Sequence, residues 1–223
     1  MTGAALKWIA LFSMLLDHIG AFLFPSLAMR AAGRLAFPIF CFLLTEGVQK
    51  TSSRGRYATR LLVFAVLSEL PYRLLCGIPL LSPGTYNVLF TLLLGFGAVA
   101  CWQRLSRRPW LGALCVIGIA AAAELLGCDY GAYGIMTIFC FALFRSQTRM
   151  GLAAFSLLTA CYALTGGAFL QLFALLAAPL LALYNGRRGT MPKYLFYVFY
   201  PLHMLLLAAL LPGGLAAAWA AII

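Results

Sequence analysis

Charge is scarce in this 223-residue sequence: Asp, Glu, Lys and Arg together make up 9%, and only 5 residues are acidic. A water-soluble domain of this length needs a much larger polar surface, so the scarcity excludes a soluble globular enzyme. Polar linkers, low-complexity tracts and a convincing internal repeat are also missing, which leaves residues 1–223 as a single domain and weakens a reading as an inverted-repeat transporter. No P-loop, Rossmann fingerprint, H-E-x-x-H or G-x-S-x-G element occurs, so the common nucleotide, zinc-protease and serine-hydrolase chemistries find no support. The 7 cysteines stand singly without metal-ligand spacing and read as small apolar residues; no metal is expected.

Apolar residues are abundant, at 64% of the chain. They fall in runs of roughly 17 to 22 residues, each long enough to cross a hydrocarbon layer of about 30 Å. Stretches such as 111–123 are apolar on every face, unlike the alternating strands of a membrane barrel. The expected fold is therefore all-α: a polytopic integral membrane helical bundle of about nine spans, near 6–24, 31–49, 58–76, 86–103, 109–126, 131–144, 150–164, 167–185 and 193–212. The first run stands where a secretion signal would, but it lacks an A-x-A cleavage site and carries Asp17 and His18, so it reads as a mature transmembrane helix.

The net charge of +11 sits in short clusters between apolar runs, with no soluble domain to present it to nucleic acid. Numbering the loops alternately puts Lys50, Arg54, Arg56 and Arg60, then Arg104, Arg107 and Arg108, then Arg145 and Arg149, then Arg187, Arg188 and Lys193 on one side. The positive-inside rule makes that side cytoplasmic, together with Lys7 and the N-terminus. Small residues such as Gly95, Gly97, Gly112 and Gly118 suit close helix packing within the chain or between chains.

Topology does not explain Asp17, His18, Arg30, Arg34, Glu69, Arg73, Glu124 and Asp129, all of which map toward the external half. A lone charge at membrane depth costs at least about 2.5 to 3.5 kcal/mol, so these groups should pair or line a wet cavity, with Tyr86 and Asn87 at the same level. Asp17 is expected to meet an arginine such as Arg34, leaving His18 free to face a substrate. An imidazole in a partly dry cavity can take a proton from an incoming nucleophile. His203, near the middle of the last span, is the other histidine of the two in the chain. Membrane histidines also serve as helix-to-helix hydrogen-bond partners, and a proton-coupled transporter or flippase would need the same residue types.

At these residues the sequence resembles the TraX family. The resemblance runs nearly end to end, through Leu6-Lys7-Trp8-Ile9-Ala10, Met14-Leu15-Leu16-Asp17-His18-Ile19-Gly20, Gly33-Arg34-Leu35-Ala36-Phe37-Pro38 and Glu46-Gly47. It continues through Ser68-Glu69-Leu70-Pro71-Tyr72, Asn87-Val88-Leu89-Phe90-Thr91, Asp129-Tyr130-Gly131 and Tyr200-Pro201-Leu202-His203. The chain departs from the acidic residue expected of many relatives at Arg73. The resemblance implies a bacterial inner-membrane acetyltransferase, similar to the enzyme that N-acetylates the N-terminus of F-type conjugative pilin. It implies acetyl-CoA as donor and an acceptor peptide, glycan or small molecule at the outer side. An envelope-glycan O-acetyltransferase is a further alternative.

Read together with the residue chemistry, the resemblance makes His18, Asp17 and His203 the candidate catalytic residues. Arg34, Glu69, Arg73, Asn87, Asp129 and Tyr130 are candidates for acceptor binding. Arg54, Arg56, Arg60, Arg104 and Lys193 are candidates for holding the anionic end of acetyl-CoA, drawn from a basic surface that also offers Arg107, Arg108, Arg187 and Arg188.

Overall fold

Short polar residues mark where the helices begin. In the computed structural model, which describes residues 1–192 and 194–223, Thr2 caps α1 (Gly3–His18), Ser26 caps α2 (Leu27–Gly33), and α3 spans Ala36–Lys50. Ser53 caps α4 (Arg54–Cys76), which ends at Gly77 with φ 64°, and Asn87 caps α5 (Val88–Arg104). Pro109 opens α6 (Pro109–Leu125), where its missing N–H costs nothing. Then follow α7 (Gly131–Leu143), α8 (Thr148–Thr165), a 3-10 segment (Phe169–Leu176) running into α9 (Ala177–Ala182), α10 (Leu195–Leu210) and α11 (Gly214–Ile222). The all-α expectation holds: among the described residues there is no strand, only an isolated bridge between Tyr86 and Cys128.

Among the described residues, two helical segments are long and apolar enough to cross a membrane, Gly3–Leu23 and Leu27–Lys50; α10 and α11, bent by 104°, would count as a third if taken as one span. The other apolar helices are shorter, among them α5, α6, α7 and the Phe169–Ala182 segment. Each predicted run coincides with a helix, but length alone does not make each helix a span. The outer surface is apolar along whole helices: Trp8, Phe12 and Leu16 on α1 are exposed, as are Val63, Val66 and Leu70 on α4 and Leu202, Leu206 and Leu210 on α10. Spacings of three and four residues place each set on one face. Surfaces of this kind suit a hydrocarbon solvent rather than water.

The basic loops gather at one end of the bundle. Gly3 and Ala4 donate backbone N–H bonds to Arg187 and Arg188 carbonyls, Lys50 donates to the Gly186 carbonyl, Arg54 bonds Gln103, and Arg145 pairs with Glu46. At the opposite end, Tyr86 bonds across to Gly127 and Leu80 to Ile222. Between the ends lies one large core built from α1, α3, α4, α5 and α10, around Leu6, Leu11, Ile39, Leu61, Leu89 and Met204. A smaller cluster joins α5, α6 and α7.

Glycines matter at particular contacts. Gly95 and Gly112 pack against Ile138 and Trp102 within the chain, whereas Gly97 and Gly118 face open space. Of the cysteines, Cys41 and Cys128 are buried but Cys161 is exposed, and all 7 are free thiols. At Gly33 a Cβ would overlap the Asp17 side chain and backbone, so only glycine lets α2 lie directly on α1. Gly33→Ala is therefore expected to lower stability by about 1–3 kcal/mol through overpacking, while Gly97→Ala stays neutral. Thermal unfolding of both variants in detergent checks this, and equal melting temperatures would count against the close approach.

Candidate functional site

Two polar centres emerge, one at each end of the bundle. The first is built where α1 stops being α-helical. Residues Ile19–Leu23 form a π-helical turn directly after His18, and such turns often serve to re-aim a side chain at a functional site. His18 Nδ1 lies 3.0 Å from His203 Nε2, and His203 Nδ1 lies 2.7 Å from the Phe199 carbonyl. A carbonyl can only accept, so His203 Nδ1 carries the proton. In the neutral ring its Nε2 is then bare and accepts from His18 Nδ1–H. The hydrogen-bond pattern thus leaves Nε2 as the unprotonated nitrogen of His18, suited to receive a proton. His18 is therefore not left free, as its sequence position suggested; it is oriented by the second histidine. His203 is 4% exposed and His18 is half-buried.

Asp17 turns to a different neighbour. Its Oδ2 takes an ion pair from Arg34 and another, at 3.1 Å, from Arg30. Arg34 also donates to the Tyr130 hydroxyl at 3.4 Å. Tyr130 has φ 65°, the left-handed region that a bulky residue rarely adopts, and its ring stacks on Phe37 with centroids 3.7 Å apart. Both cations lie within electrostatic reach of the His18 ring. Two buried atoms here, Asp17 Oδ1 and Arg34 Nε, have no hydrogen-bond partner among the described residues. A base, two nearby cations and unused polar capacity together can support proton abstraction and stabilise a developing oxyanion.

Glu69, Arg73 and Asn87 meet one another but serve the chain itself. Arg73 bonds Glu69 at 2.8 Å and donates to the carbonyls of Pro79, Ser82 and Thr85, while Glu69 accepts from the Asn87 amide at 2.7 Å. Asn87 also donates to the Ala65 carbonyl and caps α5. With their donors committed in this way, the three clamp the 77–87 loop and have little left for an acceptor. Glu124 accepts from the backbone N–H of Ala132 at the start of α7. Asp129, next to Tyr130, is held through its backbone, whose carbonyl accepts from Thr91 and whose N–H donates to Tyr86.

The second centre is a cavity of about 440 Å³ at the basic end, lined by Lys7, Lys50, Arg56, Arg60, Arg188 and Glu46 among others. Of the residues expected to hold an anion, Arg56 and Arg60 line it. Arg54 is instead engaged by Gln103, Arg104 is exposed outside the lining, and Lys193 lies outside the described residues. Arg188, one of the basic loop residues considered for the anion, lines it too, as does Lys7, which was not singled out because a lysine inside an apolar run reads first as a topology signal. Neither histidine touches this cavity. The lining reaches Tyr197 on α10, and His203 lies six residues further, about 9 Å along the helix axis. Among the described residues no group of three His, Cys, Asp or Glu side chains could hold a metal ion.

The model of the TraX protein family matches residues 2–211. The chain belongs to the TraX family. A Dichelobacter nodosus protein named "Probable fimbrial assembly protein FimC, serogroup H1" is 30% identical to this TraX chain over 233 residues, covering 92% of the chain and 93% of that protein. An uncharacterized protein of Rickettsia prowazekii (strain Madrid E), RP591, is 35% identical over 66 residues, covering 29% of the chain and 25% of that protein. No solved structure matches this TraX chain.

In the α6–α7 turn, burial pushes the Asp129 carboxyl from 3.8 up to about 6, against the pull of the Arg34 guanidinium. The folded protein then holds this proton more tightly than the unfolded chain does. Stability should fall as pH rises from about 4 to about 6 and level off above. Asp129→Asn, which cannot ionise, should show a flatter melting-temperature profile across that window; identical profiles for variant and wild type would remove the effect.

Proposed function

We propose that this protein is a membrane-embedded acetyltransferase of about nine helical spans, multi-pass in a bacterial inner membrane with its basic end in the cytoplasm. It moves an acetyl group from acetyl-CoA, taken up at the basic end, to an amine or hydroxyl at the opposite side. The acceptor is a pilin N-terminus or another envelope component. The observation that carries the reading is the His18–His203 pair, with its unprotonated nitrogen on His18 and with Arg30 and Arg34 alongside. Membership of the TraX family and similarity to a protein named for fimbrial assembly favour an envelope acceptor.

The reaction would run as a direct transfer. The acceptor nitrogen or oxygen attacks the thioester carbonyl as His18 Nε2 removes its proton. The C–S bond breaks, the new C–N or C–O bond forms, and the proton passes from His18 to the departing thiolate. Charge gathering on the carbonyl oxygen in between is met by Arg34 or Arg30. His203 acts as a positioning residue: held by the Phe199 carbonyl, it fixes which nitrogen of His18 is bare. Asp17 holds the two arginines in place, and Tyr130, locked on Phe37, limits where Arg34 can go. The donor's arm has to travel along α10 from the cavity, past Pro201. There the missing N–H leaves the helix without its bond to the Tyr197 carbonyl.

His18→Ala should lower acetyl transfer by roughly 10²–10⁴-fold with membrane levels unchanged, the range expected for loss of a general base. His203→Gln should reduce turnover less and distort its pH profile, because the ring orientation relaxes. The measurement is transfer of labelled acetyl from acetyl-CoA in membranes, with acceptors identified by an added acetyl mass on surface proteins and polysaccharides. Full activity in His18→Ala would falsify the assignment of the base.

A further inference from the structure

The chain turns sharply after α10. Pro212 is followed by two consecutive glycines, Gly213 at φ 81° and Gly214 at φ 60°, in the left-handed region that glycine enters freely. From this turn α11 leaves at 104° to α10. Since α10 runs through the bundle away from the basic loops, that angle lays α11 across the opposite end instead of through it. With 9 residues it is about 14 Å long, far short of a hydrocarbon layer of about 30 Å. Two helices and one loop hold it in place: it packs against α4 and α10, and its Ile222 carbonyl accepts from the Leu80 N–H in the loop that Arg73 clamps.

The sides of α11 differ in character. Ala218 and Ile222 are buried against the bundle. Leu215, Trp219 and Ile223, spaced by four, form a bulky exposed side, and the exposed Ala217 and Ala221 lie opposite to it. In the neighbouring loop Leu81 is almost wholly exposed. No Asp, Glu, Lys or Arg occurs in residues 77–87 or 194–223. Water is a poor solvent for such a surface. The exposed apolar rows of α4 and α10, the helices on which α11 packs, adjoin it. The two ends of a helix keep N–H and C=O groups that need water or a partner, so a helix this short belongs where water is within reach and not in the hydrocarbon interior. Tryptophan favours the same level.

The geometry points to an in-plane ledge: α11 and the tip of the 77–87 loop sit in the bilayer interface at the end opposite the basic loops, with Leu81 and the Leu215–Trp219–Ile223 side against lipid acyl chains and the Ala217–Ala221 side toward the headgroups. This rests on the reading of the bundle as membrane-embedded, not on acetyl transfer. Lipid is the occupant, and not a second copy of the chain, because the lipid that covers α4 and α10 reaches α11 without a break. The ledge acts as a depth stop. It cannot sink without taking its helix ends away from water, and it cannot rise without exposing Trp219 and Leu81. His203 lies seven residues before Leu210, where α10 ends, so the histidine pair is held about 10 Å beneath the ledge.

The test uses the full chain in nanodiscs whose lipids carry bromine either near the headgroup end of the acyl chain or at its tip. The Trp219 signal is the wild-type fluorescence minus that of Trp219→Phe; the signal of Trp8, exposed on α1, is isolated in the same way with Trp8→Phe. The Trp219 component is expected to lose most of its intensity to the shallow bromine, less to the deep bromine and little to aqueous iodide. Loss to iodide alone would put α11 in water, loss to neither quencher would put it under another protein chain, and greater loss to the deep bromine would put it in the bilayer interior; each of these overturns the ledge. A Trp8 component still quenched by brominated lipid would then leave the membrane reading standing, whereas failure of both tryptophans would remove that reading as well. Sidedness is read from the unfolding temperature in unbrominated discs. Leu215→Asp should lower it and Ala221→Asp should leave it near the wild-type value, and equal effects or the reverse order would overturn the assignment of the two sides.

Discussion

The contact on which the far end of the molecule depends is the one between Asp17 and the two arginines of α2 and its end. A carboxylate and two guanidiniums at this depth are tolerable only together. The pairing requires the helices to touch at backbone distance, and a glycine at position 33 is what allows it. From that approach follow the direction of Arg34 and its reach to the Tyr130 hydroxyl. His18, one residue on, is carried to the opposite side of α1 by the helical rotation of about 100° and meets α10 instead of α2. Neighbouring positions in one sequence motif thus meet different partners, Asp17 two arginines and His18 the second histidine.

The histidine pair depends on a second constraint, a backbone carbonyl. Phe199 is one turn before His203 on α10, and its carbonyl can only accept, so it fixes the proton on the near nitrogen. No acid is needed to orient the ring. Acid–base pairs of the familiar kind use a carboxylate for this purpose. Here Asp17 is engaged elsewhere, and a neutral carbonyl does the orienting without placing a further charge at membrane depth. Pro201, two residues away, lies in the same stretch of α10.

Helix positions were legible in the sequence because apolar runs are long and the breaks between them carry Ser, Gly, Asn and Pro, which cap and stop helices for reasons of backbone chemistry. The segregation of basic loops to one end was legible for the same reason. The number of membrane crossings was less so: α7 and the Phe169–Ala182 segment are short, and composition does not say whether such a helix crosses. Within the far cluster, balance of charge pointed to pairing, and Asp17 with Arg34 was the natural partner choice. The use of Glu69, Arg73 and Asn87 was not legible. Whether an arginine faces a ligand or its own loop depends on where the carbonyls of residues 79, 82 and 85 come to lie, and no spacing rule encodes that. The departure at Arg73 becomes intelligible only there, since an acidic side chain would repel both those carbonyls and Glu69. The cavity at the basic end had the opposite difficulty: so many cations occupy that side that only packing, with Tyr57 beneath Arg60, distinguishes a cavity-lining residue from one that merely marks topology.

The clamp on the 77–87 loop grips through carbonyl oxygens, which every amino acid possesses. Arg73 therefore secures the path of the loop while remaining indifferent to most of its side chains, of which Leu81 is 96% exposed. A surface anchored in this way can exchange its outward-facing residues without losing its shape. Diversification of the rim is decoupled from the integrity of the bundle beneath, and the loop's outward side chains can change while one scaffold is kept.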